Sequence, residues 1–106
     1  MGCSIKCSSL KKLNLTNFNT YNVINMFSMF CGSSSLKELN LTYFNTKNVA
    51  KMEGMFYGCS SLKQLNITNF NTNNVTNMRE MFSGCSDYLK RKIKSENKNI
   101  KDVAFW

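Results

Sequence analysis

Apolar and polar positions along this chain change rhythm partway through every 26 residues. Leu13 and Leu15 alternate with polar Asn14. That is the period of a short strand with one buried face. Phe18 follows and is placed to turn inward as the chain leaves the strand. Asn19-Thr20-x-Asn22 comes next, a polar cluster suited to a turn and a helix N-cap. Beyond it, Val23, Met26, Met29 and Phe30 recur at helical spacing. Gly32 stands where a helix-ending glycine is expected. The pattern predicts strand, turn, short helix, turn.

The same cycle returns without a gap. Leu10, Leu36 and Leu62 share one slot, Phe18, Phe44 and Phe70 another, and Met26, Met52 and Met78 a third. Across 7–32, 33–58 and 59–84, sixteen of the twenty-six slots hold one residue type, so the repeat governs the fold. A one-layer unit cannot bury its own apolar stripe and must pack on its neighbours. Leu10-x-x-Leu13-x-Leu15 also has the opening spacing of a leucine-rich repeat. The predicted fold is therefore an α/β repeat solenoid. It is a short leucine-rich-repeat-like stack, with one short strand and one short helix per 26-residue rung and a helical C-terminal cap. Paired strands should lie about 4.8 Å apart.

The ends are read separately. Residues 1–6 form a truncated remnant and 85–106 a capping segment. In the latter, Asp87 is the expected N-cap, and Tyr88, Leu89 and Ile93 mark an amphipathic helix. Ile100, Val103, Phe105 and Trp106 are expected to fold back as a second apolar stripe. At the other end, the edge around Leu13, Leu15 and Phe18 is expected to be partly exposed, which invites self-association.

Composition narrows the function. The 106 residues are 42% hydrophobic, with no proline and no histidine, so the chain is not disordered by composition. The net charge of +8 favours anionic surfaces without naming an activity. Cysteines stand at 3, 7, 31, 59 and 85. Their odd number and wide spacing fit neither a complete disulfide framework nor a zinc site. They read as free thiols, packed as small apolar residues. No run approaches the ~20 apolar residues of a membrane span. With no histidine, six scattered acids and no phosphate-binding loop, neither catalysis, a cofactor, a metal nor a small-molecule substrate is expected.

The unit CSSLKxLNLTxFNTxNVxxMxxMFxG resembles the BspA-like leucine-rich repeat surface proteins. Their repeat is also catalogued as a domain of unknown function first noted in mycoplasmal proteins. The match runs over Cys7–Gly32, Ser33–Gly58 and Cys59–Gly84, and a fourth unit starts at Cys85-Ser86-Asp87. The resemblance implies a cell-surface or secreted protein that adheres to host proteins and other cells, with no catalytic residues. This chain shows neither a signal peptide nor an anchor, as a short paralogue or a fragment would.

Repeat proteins bind partners on their extended faces. The expected site is the outward strand face, built from Lys12, Glu38 and Gln64 beside the Asn14, Asn40, Asn66 and Thr16, Thr42, Thr68 columns. The expected function is a non-catalytic protein-interaction or adhesion module. One alternative is a structural relic of a larger surface protein. Another is a basic nucleic-acid binder using Lys11, Lys37, Lys63 and the Lys90–Lys94 run. Against the latter, Phe18, Phe30 and their equivalents occupy core slots, not stacking platforms. The Asn14, Asn40, Asn66 column is expected to bond amide to amide from rung to rung. Those residues and Asn74 also begin Asn-x-Thr sequons, which matter only in a glycosylating pathway. Phe27, whose slot elsewhere holds Glu53 and Arg79, is expected to face outward.

Overall fold

The computed structural model describes residues 20–106 and the backbone of the strand at 12–14. Three short strands, β1 (Lys12–Asn14), β2 (Glu38–Asn40) and β3 (Gln64–Leu65), pair parallel in the order β1-β2-β3. The register joins equivalent slots, Lys12 to Glu38 to Gln64 and Leu13 to Leu39 to Leu65. One α-helix, α1 (Asp87–Glu96), and a short 3-10 helix (Asp102–Phe105) follow.

The expected α/β repeat solenoid, with a helix in every rung of a leucine-rich-repeat-like stack, is not what forms. The body is a small compact globule of 31 × 29 × 26 Å, and α1 is the one α-helix among the described residues. The segments assigned to helices are chains of turns. In the first copy, the amides of Met26, Ser28, Phe30 and Gly32 donate to the carbonyls of Lys51, Glu53, Met55 and Tyr57, at 2.7–3.0 Å. The amides of Met29, Cys31 and Ser33 close local four-residue turns, donating to the carbonyls of Met26, Ser28 and Phe30. The second copy does the same, with Met52, Gly54, Phe56 and Gly58 donating to Asn77, Arg79, Met81 and Ser83. Alternate amides thus bond to the next copy, and no i to i−4 ladder can run through them. The backbone also turns left-handed within each of these segments, at Ser28 (φ 54°), Gly54 (φ 62°) and Glu80 (φ 58°), and again at their ends, at Gly32, Gly58 and Gly84. An L-residue helix does not accommodate that. The apolar spacing that suggested a helix survives, because successive four-residue turns also bring residues three and four apart to one side.

That side is the core. Met26, Met52 and Met78 are buried, as are Leu36, Leu62 and the third-strand residue Leu65. Phe30, Phe56 and Phe82 lie ring over ring, with centroids 5.8 and 5.3 Å apart and planes within 11°. Offset parallel rings at this distance gain about 0.5–1.5 kcal/mol per pair beyond the area they bury.

Thr20 and Thr46, expected in a polar turn leading into a helix, are buried links between copies. The Thr46 hydroxyl donates to the Asn71 carbonyl (3.1 Å) and accepts from the Asn71 amide (2.7 Å). Thr20 bonds Asn45 in the same two ways. A hydroxyl can donate and accept at once, which is what this slot requires. Gly84 serves a second close approach. A Cβ there would stand 3.1 Å from the Gly58 Cα, and the residue sits at φ 81°.

The final residues take the place of acceptors that the third copy otherwise lacks. Glu80 and Phe82 donate to the Val103 and Ala104 carbonyls (3.0 and 2.7 Å), and the Phe105 ring lies 5.5 Å from Phe82. Ile100 and Ala104 are buried, Val103 and Phe105 half-buried, and Trp106 exposed. The N-cap of α1 is Ser86, one residue before the expected Asp87. Its hydroxyl accepts from the Leu89 amide at 3.2 Å. Leu89 and Ile93 are buried and Tyr88 exposed.

The cysteines divide. Cys59 and Cys85 are buried thiols that donate to the Phe30 and Phe56 carbonyls at 3.2 Å. Burial, reinforced by the neighbouring Cys59, pushes the Cys85 thiol up to about 12. It carries no thiolate at neutral pH and is a packing group, not a nucleophile. Cys31 is disulfide-bonded, which corrects the free-thiol expectation there, and its partner lies outside the described residues. The expected exposed edge at Leu13, Leu15 and Phe18 also falls outside them.

Candidate functional site

In-register pairing of β2 and β3 sets equivalent outward residues beside one another. Above them lies an open groove of about 510 Å³. Six of the nine expected site residues line it: Glu38, Asn40 and Thr42 from the second copy, and Gln64, Asn66 and Thr68 from the third. Lys12 and Asn14 are in backbone register with Glu38 and Asn40. Their side chains, and Thr16, lie outside the described residues. Leu39 and Leu65 of the strands and Lys92 and Glu96 of α1 complete the lining. Sequence reading missed Glu96 and counted Lys92 only within the basic Lys90–Lys94 run. Their sequence distance from the strands hid them; the only available signal was their one-turn spacing on a helix whose buried residues are Leu89 and Ile93.

The groove's hydrogen-bonding character is fixed within each copy. The expected amide ladder along Asn14, Asn40 and Asn66 is not present at Asn40 and Asn66. The Asn40 Oδ1 instead accepts from the Thr42 amide (3.0 Å) and the Thr42 hydroxyl (2.6 Å). Asn66 Oδ1 accepts from the Thr68 amide (3.0 Å) and hydroxyl (2.7 Å). A backbone N–H can only donate, so the amide oxygen must face it. This local closure offers two bonds per side chain and prevails over a ladder across copies. Cross-copy amide bonds occur in a different slot, where Asn48 and Asn74 donate to the Tyr21 and Lys47 carbonyls (3.0 and 2.8 Å).

The lining carries two carboxylates, Glu38 and Glu96, and one ammonium, Lys92. Asn40, Thr42, Gln64, Asn66 and Thr68 are exposed. Leu39 and Leu65 point their side chains into the core.

A second cavity of about 480 Å³ is lined by Phe27, Cys31, Glu53, Tyr57, Arg79 and Glu80. Phe27, expected outward, is half-buried in its wall. Arg79 reaches its chain neighbour Glu80 at 3.8 Å across exposed surface, a pair worth little in water. Among the described residues, no three His, Cys, Asp or Glu side chains are grouped to hold a metal ion.

The family described as Mycoplasma protein of unknown function, DUF285, matches residues 3–105. The chain belongs to this family. No curated protein and no solved structure matches it. The DUF285 match takes in all three copies together with α1 and the 3-10 helix. Among the described residues of this DUF285 chain, no helix is long and apolar enough to cross a membrane.

Proposed function

We propose that this DUF285 protein is a non-catalytic binding module of the adhesion type, and that the groove over β2 and β3 is its binding surface. The observation that carries this reading is the groove itself: six side chains from two copies, five of them exposed and Glu38 half-buried, set side by side and joined by Lys92 and Glu96. The likeness of its repeat unit to BspA-like surface proteins supports a partner presented on a cell surface. Nucleic acid fits the groove poorly, because Glu38 and Glu96 would face the phosphates.

Labelled protein titrated onto a panel of intact bacterial and eukaryotic cells tests the reading. Saturable binding is expected, and Glu38→Ala combined with Asn40→Ala should weaken it about tenfold or more, equivalent to about 1.4 kcal/mol. Binding that never saturates, falls steeply with salt and ignores both substitutions would be charge-driven sticking, and would contradict it.

A further inference from the structure

We propose that the ligand of this groove is an uncharged, hydroxyl-rich saccharide chain lying across β2 and β3; the inference rests on the groove being the binding surface. Both hydrogen bonds that close each Asn-x-Thr pair end on the asparagine oxygen. The valences left for a ligand are therefore fixed. Asn40 and Asn66 offer amide N–H donors, and Thr42 and Thr68, having donated their protons, offer oxygen lone pairs. Each copy presents a donor beside an acceptor. A sugar hydroxyl accepts and donates at once, so neighbouring hydroxyls on a ring can take a bond from the asparagine and give one to the threonine. The Glu38 and Glu96 carboxylates, at the same groove, accept from further hydroxyls.

Charge and spacing exclude the other polymers. Among the described residues, a polyanion would meet two carboxylates against one ammonium. A peptide group also offers an acceptor and a donor, but its spacing does not fit. Groups on one edge of an extended peptide recur about every 6.7 Å, while neighbouring strands lie about 4.8 Å apart. A peptide crossing the sheet that satisfies one copy is out of step at the next. Its side chains would also find little apolar surface, since Leu39 and Leu65, though part of the lining, are buried. Such a ligand spans both copies, and its binding is insensitive to salt.

The test is a titration of ¹⁵N-labelled protein with cellohexaose, chitohexaose, maltohexaose and mannohexaose. At least one should saturably shift the side-chain amide signals of Asn40 and Asn66 together, and its disaccharide should bind about tenfold more weakly, as expected when about 1.4 kcal/mol of contact is lost. Thr42→Val and Thr68→Val each remove the acceptor and release the asparagine oxygen, so each should weaken binding about fivefold to tenfold; Thr→Ser at either position should restore it. If no hexasaccharide moves these signals while cell binding still depends on Glu38 and Asn40, the saccharide inference is overturned and the groove reading stands. An extended Ser/Thr peptide that moves them where the sugars do not overturns it in favour of a peptide. Loss of both the sugar shifts and the groove-dependent cell binding overturns the two readings together.

Discussion

Replacing Phe56 with alanine is expected to destabilise the protein by about 3–5 kcal/mol. Phe56 is fully buried at the centre of the ring series, 5.8 Å from Phe30 and 5.3 Å from Phe82. Truncation removes two ring contacts and leaves a void between copies that cannot close without shifting both neighbours. Total stability for a domain of this size is about 5–15 kcal/mol, so the loss takes a large share of it. Thermal denaturation followed by circular dichroism should show a fall of about 12 °C or more. Phe56→Leu keeps most of the apolar volume and loses mainly the ring geometry, at about 1–3 kcal/mol. A small effect of Phe56→Ala would mean that the copies do not meet through this ring.

Deleting Asp102–Trp106 is expected to cost about 3–5 kcal/mol, from one partly buried aromatic and two backbone bonds. The deletion uncovers the Phe82 ring and takes the carbonyl partners from the Glu80 and Phe82 amides. Trp106→Ala alone should change stability by less than about 0.5 kcal/mol, because that side chain is 72% exposed. Urea denaturation of the three proteins separates these cases. A deletion no more harmful than Trp106→Ala would show that the final segment is not packed on the third copy.

Which features were legible in the sequence follows from how local their causes are. Identity at a 26-residue period set the register of β1, β2 and β3, because like side chains in like slots pair best with one another. The outward placement of Asn40, Thr42, Gln64, Asn66 and Thr68 followed from alternation about Leu39, Leu41, Leu65 and Ile67. The helices were misassigned because Met26, Met29 and Phe30 have the spacing of a helix face, and spacing alone does not say where the amides bond. Gly54, in the left-handed slot of the second copy, was the one local hint. Asn-Thr-x-Asn read as a cap because those residues cap helices elsewhere; here Thr20 and Thr46 bond residues 25 positions away. The α1 contribution to the groove depends on how a distant segment docks, which no local pattern encodes.

Alternate backbone amides bond from one copy to the next, and that bonding holds the copies in the register that aligns the strand faces. Scalar couplings across hydrogen bonds, read between amide nitrogen and carbonyl carbon in labelled protein, observe it directly. The structure requires couplings from Met52 to Asn77, Gly54 to Arg79, Phe56 to Met81 and Gly58 to Ser83. Couplings from these amides to carbonyls four residues earlier would restore a helix in each copy and contradict the account.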